Sequence, residues 1–486
     1  MATITSTGLG SNLDVGSIIT SLMAVESKPL ALLQTAATKL NTQVSAIGQL
    51  KSLTTTMRDA AAKLASVSLW NQTTTSSSDS SFVSATGASG AAAANYSVTV
   101  ANLATSQTVA SRSFTNASTT LGAGLMTIEL GTWDGEPTPT GFTPKGSGGG
   151  TLALEATDTL TDIRDKINAA GMGVTASIIN DASGARLALR STETGALNGF
   201  RISTVEDAND GVANTGLSAL AYDAAEDPLT PEPVSQMTRS ETAVNASATV
   251  NGIGISSASN VLENVADGLT LTLAKPTTST IQVAVKADTE AVKTAITAFT
   301  TAFNALATFI GQQTKYDPAT KVGGTLQGDR ATSTVLTGLR GVINQSTSAS
   351  STFGRLSDIG ITMKADGTLE TNSTKLEAAL GNRAELQKAL ATDGTDSAGS
   401  GFMDRFRDLG AALLDTEGSL TTRTSSLESM LARNSKSQEA MENRLAATKK
   451  RLETQYQVLD TNMAKLTSLS SYLTNQLASL NISSSS

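Results

Sequence analysis

Cysteine and histidine are both absent from the 486 residues, and aromatic residues make up only 3%. These absences remove the usual ligands of structural zinc, the thiolate nucleophile, the disulfide and the imidazole of a Ser-His-Asp relay. An enzyme would have to work with carboxylates or a Ser-Lys pair, and no spacing here assembles either. Long apolar runs are missing too: the mean hydropathy is -0.04, and no uninterrupted stretch nears the ~18 residues of a membrane span. No Lys or Arg precedes Lys28, so the basic start of a cleavable secretory signal is not read. A soluble chain without a membrane span is expected. Its net charge is -8, with 19 acidic and 9 basic residues between Asn95 and Val285. An acidic middle without basic clusters excludes nucleic acid as a partner, because phosphate binding relies on Lys and Arg.

What is there is periodicity. At about 150 residues per domain the length predicts about three domains. Asp14 is placed to cap a helix through Val15, Ile18, Ile19, Leu22 and Met23, and Ser27 to cap a second one entered at Pro29. Leu33, Ala37, Leu40, Val44 and Ile47 then recur by four and three, as in a coiled coil, and Leu50, Leu53, Met57, Leu64 and Val67 continue with a shift of phase. The polar stretch Asn71 to Ser81 ends that pattern. From Asn95 to Val285 the period becomes two, in Tyr96, Val98 and Val100, in Thr249 to Ile255, and in Leu269, Leu271 and Leu273. Gly- and Pro-rich intervals bracket a segment with its own helix, around Leu160 to Ala169, which predicts a domain inserted within a β domain.

Helical spacing resumes near Glu290 and stops at Tyr316-Asp317-Pro318. A hairpin follows near Ile359 to Leu369, turning at Asp366-Gly367. The strongest repeat comes last: Leu445, Leu452, Leu459, Leu466, Leu473 and Leu480 fall every seventh residue. The companion position holds Gln455, Asn462 and Gln476, while Tyr456, Met463 and Leu477 sit one residue later. That drift fits packing against several neighbours, or burial formed on assembly; an intramolecular hairpin between the two ends explains the seam equally well.

Candidate ligand motifs fail on detail. Gly146 to Gly150 lacks the Lys-Ser/Thr of a phosphate loop, and Gly171-Met172-Gly173 lacks a third glycine. Asp317 and Asp329 miss the alternating ligands of a calcium loop. Glu206-Asp207 and Glu226-Asp227 read as solvated loop acids. No catalytic, metal-binding or cofactor-binding residue is assigned, and no cofactor is expected.

Gly8-Leu9-Gly10-Ser11-Asn12-Leu13-Asp14-Val15, with Ile18-Ile19-Thr20-Ser21-Leu22-Met23 and Glu26, resembles the N-terminus of flagellar filament cap proteins, the flagellar hook-associated protein 2 family. Tyr96 to Ala104 with Ser106-Gln107, Val250-Asn251-Gly252-Ile253 through Ser259-Asn260 to Gly268-Leu269-Thr270-Leu271, and Leu356 to Ile361 resemble that family's later motifs in order. The resemblance implies an axial protein exported through the flagellar type III route and standing outside the cell at the filament tip. There it would form a ring of about five copies, promote flagellin insertion and prevent loss of exported flagellin, as motility requires. Implied partners are flagellin, the hook–filament junction proteins and a cytoplasmic export chaperone at the C-terminal helix. Leu13, Ile18, Ile19, Leu22 and Met23, with the seam from Leu445 to Leu480, become the candidate filament and subunit contacts.

The expected architecture is an α+β multidomain chain whose helical ends pair around β-rich domains, one nested in another. Its segments are N-terminal leg helices 1–40 pairing with a C-terminal leg helix 437–486, a helical ring-forming domain from 41–94 and 286–436, a β-rich domain from 95–120 and 240–285, and an inserted α+β domain at 121–239. Two alternatives stand beside the cap: a hook–filament junction protein, and a secreted coiled-coil surface adhesin. Adhesion is also conceivable as a second role of the cap itself.

Overall fold

The computed structural model describes residues 14–136, 138–207, 215–225 and 236–482. Helix α1 (Val15–Glu26) opens behind Asp14, whose carboxylate accepts the Ser17 amide at 2.9 Å. Helix α2 (Lys28–Ala65) leaves it at a bend of 45° with Pro29 in its first turn, where a missing amide costs nothing. The single turn α3 (Val67–Trp70) closes the helical start.

The β-rich stretch runs through β1 (Thr73–Ser77), β2 (Val83–Gly87), β3 (Ala94–Asn102), β4 (Thr108–Ala110), β5 (Gly124–Asp134), β6 (Gly141–Pro144) and β7 (Gly150–Leu154). After helix α4 (Leu160–Ala170) come β8 (Val174–Asp181), β9 (Gly184–Ser191), β10 (Gly199–Glu206), β11 (Thr238–Glu241), β12 (Ala246–Val250), β13 (Ile253–Ser257), β14 (Val261–Ala266), β15 (Leu269–Leu273) and β16 (Ile281–Ala287). The rest is helical: α5 (Thr289–Thr314), the small pair β17 (Tyr316–Asp317) and β18 (Val322–Gly323), α6 (Arg330–Asn344), the pair β19 (Ile361–Met363) and β20 (Leu369–Thr371), then α7 (Ser373–Gly381), α8 (Arg383–Ala391), α9 (Phe402–Leu414) and α10 (Ser419–Ile482).

The chain divides into two compact units: one from the residues up to Leu69 together with those from Thr289 onward, the other from Trp70–Asp288. In the helical unit, α2 packs against α5, α9 and α10. Ile47, Leu50, Met57 and Leu64 of α2 are fully buried. Phe299 and Phe303 of α5 meet Phe406 of α9 at ring separations of 5.0 and 6.0 Å. Three of the ten phenylalanines thus stand at one point, concentrating large buried rings in a chain that has few. Helix α5 is apolar and long enough to cross a membrane by length and composition, yet its apolar face is spent on this core.

Charge ties the periphery of the helical core together. Asp329 caps α6 by accepting the Thr332 amide at 3.0 Å, and its other oxygen accepts Arg423 Nε from α10 at 2.7 Å. Asp317 accepts the Ala319 amide and the Thr320 hydroxyl. The two acids that outline a poor calcium loop in the sequence therefore serve a turn and a helix cap. Arg405 of α9 is buried and donates to the carbonyl oxygens of Ser346, Ala398 and Ser400, fastening two loops at once.

The second unit contains two apolar cores. One lies between the sheet ordered β1-β16-β3-β12-β13 and the sheet β14-β15-β2, and includes Val83, Val98, Val100, Leu271, Val283 and Val285. The other belongs to an inserted domain with sheets β10-β5-β6, carrying β7 beside β5, and β11-β4-β9-β8, which share a core with α4. Helix α4 starts with a reciprocal Thr159–Asp162 capping box. At the centre of the inserted domain the buried Gln107 accepts Trp133 Nε1 at 2.7 Å and donates to the Phe200 carbonyl at 2.7 Å.

Three expectations require correction. The helical domain expected to take in 41–94 keeps only the residues up to Leu69; β1 and β2, beyond the end of the helical pattern, belong to the β unit and pair with β16 and β15. Thr73–Ser77 is all Thr and Ser, so its alternation is of exposure rather than polarity and leaves no apolar signal. Thr249 to Ile255 is a hairpin and not one strand: Asn251 and Gly252, with φ of 52° and 82°, form the two-residue turn between β12 and β13. The inserted domain is wider than 121–239, because β4 and Thr238–Glu241 of β11 pair inside its second sheet.

Glu385 gives the helical unit a defined acid response. Its carboxylate receives Lys388 Nζ, the Ser350 hydroxyl and the Ser351 amide and hydroxyl, which lower its pKa from 4.5 to about 2. The folded value lies below the unfolded one, so this contribution is complete above pH 4.5 and drains away as the pH falls toward 2. Wild type should therefore exceed Glu385→Gln in stability at pH 7, with the gap closing in that window. Denaturant titrations of both proteins across it check the sign, and a gap that stays constant with pH would contradict it.

Candidate subunit and filament interface

Helix α10 pairs with α2 along its first half and with α1 further on. Lys51 Nζ reaches Thr421 Oγ1 at 3.3 Å, while Ala37 and Asn41 share a groove of about 440 Å³ with Leu431, Ala432, Ser435 and Gln438. Higher numbers on α2 meet lower ones on α10, so the pairing is antiparallel and brings α1 to the later part of α10. Leu420 and Leu427 are fully buried at the core end.

The predicted contacts divide into three groups. Val15 and Ile19 are buried on α1, Ile18 and Met23 are half-buried, and Leu22 is 41% exposed. Leu445 and Leu452 are half-buried in the intramolecular pair. Leu459, Leu466 and Leu473 are exposed at 43%, 60% and 52%. Leu13, and the side chain of Leu480, lie outside the described residues.

The division has a geometric cause. Beyond Leu452 the half-buried positions are Tyr456, Asp460 and Ala464, steps of four that rotate around an α-helix of 3.6 residues per turn. The leucines repeat every seven, so the covered face and the leucine face part company. Leu459, Met463, Leu466, Leu469, Leu473 and Leu477 remain open to water on the side the pair has left, with Tyr472 exposed beside them. Monomeric proteins seldom leave a contiguous apolar stripe of this kind uncovered. Lys449, Lys450 and Arg451 are solvated, and Lys449 sits 3.9 Å from Glu453, a surface pair of little energetic weight.

Reading the sequence singled out the heptad but missed Val15 as the deepest anchor of α1, although its place directly after the Asp14 cap could have identified it. It also missed the Asp329–Arg423 tie. The cap half was visible as Asp before a helical pattern; the arginine, 94 positions away, carries no local signal.

Three family models match the chain: "Flagellar hook-associated protein 2 N-terminus" over residues 11–107, "Flagellar hook-associated protein 2 C-terminus" over residues 243–468, and "Flagellin hook IN motif" over residues 142–193. Flagellar hook-associated protein 2 of Escherichia coli strain K12 is 33% identical over 489 residues, covering 98% of this chain and 98% of that relative. The chain belongs to the flagellar hook-associated protein 2 family. The B-type flagellar hook-associated protein 2 of Pseudomonas aeruginosa is 30% identical, over 94% of this chain and 93% of its own length. Among solved structures, the flagellar cap protein FliD D1-D2-D3 domains from Escherichia coli superimpose with a TM-score of 0.59 at 30% identity, covering 79% of this chain and 99% of that one. Membership in the hook-associated protein 2 family favours the filament cap over the junction-protein and adhesin alternatives. The hook IN match falls wholly within the inserted domain, from β6 to β9, a region the sequence motifs had left without a family signal.

The two faces of the terminal pair should respond differently to mutation. Val15→Ala with Ile19→Ala should raise amide exchange across Val15–Glu26 at least about tenfold in the isolated monomer. Leu466→Ser with Leu473→Ser should leave that exchange unchanged and the melting temperature within about 1 °C. Hydrogen–deuterium exchange on both variants checks this, and equal effects would mean that the leucine stripe is packed within the chain.

Proposed function

We propose that this hook-associated protein 2 family member caps the distal end of the flagellar filament, promoting flagellin polymerisation and retaining exported monomers. The observation that carries the reading is the apolar stripe from Leu459 to Leu477, which a single copy leaves in water although the rest of its helix is paired. Each of Leu466, Leu469, Leu473 and Leu477 offers about 1.5–3 kcal/mol if buried, before ordering costs. That is enough to hold the leg on a filament end without making attachment permanent.

In this mechanism the paired terminal helices act as legs on the filament end. Leu22 and the leucine stripe make the outward contacts, together with Leu13 and Leu480, while Val15, Ile19, Leu445 and Leu452 hold the leg together. The remaining helices carry a ring of about five copies. Rearrangement of one leg at a time opens a place for the next flagellin. The protein works outside the cell, having been secreted through the flagellar export route, on a base built by the junction proteins. Before export, a cytoplasmic chaperone covering the C-terminal helix would shield the stripe from aggregation. The role is structural and needs no catalysis.

Deleting the gene should abolish motility and release monomeric flagellin into the medium. The full chain should restore filaments, whereas a chain ending before Leu445, or one carrying Leu466→Ser and Leu473→Ser, should not. Filaments of normal length in the deletion strain would overturn the capping role; full rescue by the double serine variant would remove the stripe from it.

A further inference from the structure

The inserted domain meets the β-sandwich that carries it at two places, and they differ in kind. The first is where the chain crosses between them, at Leu103–Gln107 on the way out and Thr242–Val244 on the way back. The two crossings pair through a single bridge: the Thr105 amide donates to the Val244 carbonyl at 3.0 Å, and the Thr105 hydroxyl to the Thr242 carbonyl. The second adjoins the first: the loop Thr192–Asn198 of the inserted domain, whose Gly195 amide donates to the Thr105 carbonyl at 3.0 Å, rests on Asn245 and on the Ser256–Asn260 loop of the sandwich. There the Thr194 hydroxyl donates to the Ala258 carbonyl at 2.6 Å, the Ala196 amide to Asn245 Oδ1 at 2.8 Å, and Asn245 Nδ2 to Ser256 Oγ at 3.2 Å.

We propose that this second contact is a latch and the Thr105–Val244 bridge a hinge, so that the inserted domain is held in one orientation by a few polar bonds and swings as a body when they break. Four observations support this. The two apolar cores are separate clusters, and neither extends through the contact. The latch bonds are neutral; those to Ala258 and Ser256 are exposed and the Ala196–Asn245 bond is half-buried, so water competes for the outer two. The finger is preformed on its own domain: Asn198 receives Lys145 Nζ at 2.9 Å and donates to the Thr194 carbonyl at 2.7 Å, so opening need not unfold it. The receiving loop is likewise fixed to the hinge, because Asn260 accepts the Ala104 amide at 2.7 Å and donates to the Ala104 carbonyl at 2.9 Å.

The fit of the latch is set by Gly195. Its φ is 100°, and a Cβ there would lie 2.5 Å from the Cβ of Ala258. Any larger residue would push the two loops apart, so closure depends on a backbone with no side chain at the contact. The proposal concerns the β unit alone and stands whether or not the capping role holds.

The absence of cysteine makes the test direct. Spin labels at Ser177→Cys, on the exposed β8 strand, and Ile253→Cys, at the β12–β13 turn, report the angle between the domains through their distance distribution. The otherwise unaltered latch should give one narrow distance, and Thr194→Val with Asn245→Ala should broaden it about twofold in width while both cores keep their melting transition. An unchanged narrow distribution would overturn the latch. A measurement needing no latch variant is amide exchange in wild type: Ala196 should exchange at least about tenfold faster than the core strand amide of Leu189, because the latch opens without global unfolding. Exchange of both only together, at the rate of global unfolding, would equally overturn it.

Discussion

Ile47, Leu50, Met57 and Leu64 of α2 are sealed from water by α5, α9 and α10, elements that return to α2 more than two hundred residues later in the chain. With no disulfide and few aromatic rings, this aliphatic seam and the Phe299–Phe303–Phe406 cluster beside it hold the helical unit. Both ends of the chain depend on it. The amino-terminal helices would have nothing to extend from, and α10 no buried root, without the segment that Leu420 and Leu427 anchor. The whole β unit can therefore be carried as an excursion between Leu69 and Thr289.

The same economy governs the β unit. Its nested domain repeats, on a smaller scale, the arrangement of an excursion returning to its point of departure, and that inner junction is closed by the backbone and by Asn and Thr side chains. Short side chains that hydrogen-bond locally let two cores sit close together without merging. Asn102, Asn245 and Asn260 all serve here, each bonding backbone of a different strand or loop. A hydrophobic joint would bury more area, at the cost of making one body of two.

Helix existence was legible wherever apolar residues recur at helical spacing, whether the face they form is buried, as in α5, or largely open, as in the later part of α10. The hairpin at Asp366-Gly367 was equally plain, because turn chemistry is local. Strands β1 and β2 were not, since Thr and Ser alternate in exposure without alternating in hydrophobicity. At the interface, the heptad leucines were visible in the sequence, but their partition into paired and open sets was not. That partition depends on the difference between a repeat of 7 and a helix of 3.6 residues per turn, summed along a particular partner. Long-range ties such as Arg423 to Asp329 belong to the same class, being consequences of packing that no window of residues contains.

Helix α10 runs without a break for 64 residues, about 96 Å at 1.5 Å per residue. Its described sequence contains neither proline nor glycine, the residues at which long helices usually bend. Such a rod transmits force as well as contact: torque applied to its exposed end reaches the buried root at Leu420 within the same hydrogen-bonded spiral. A sideways load on the exposed end is therefore borne at the root, where Arg423 Nε meets Asp329 at 2.7 Å, so the helix has the form of a lever with its fulcrum in the helical core.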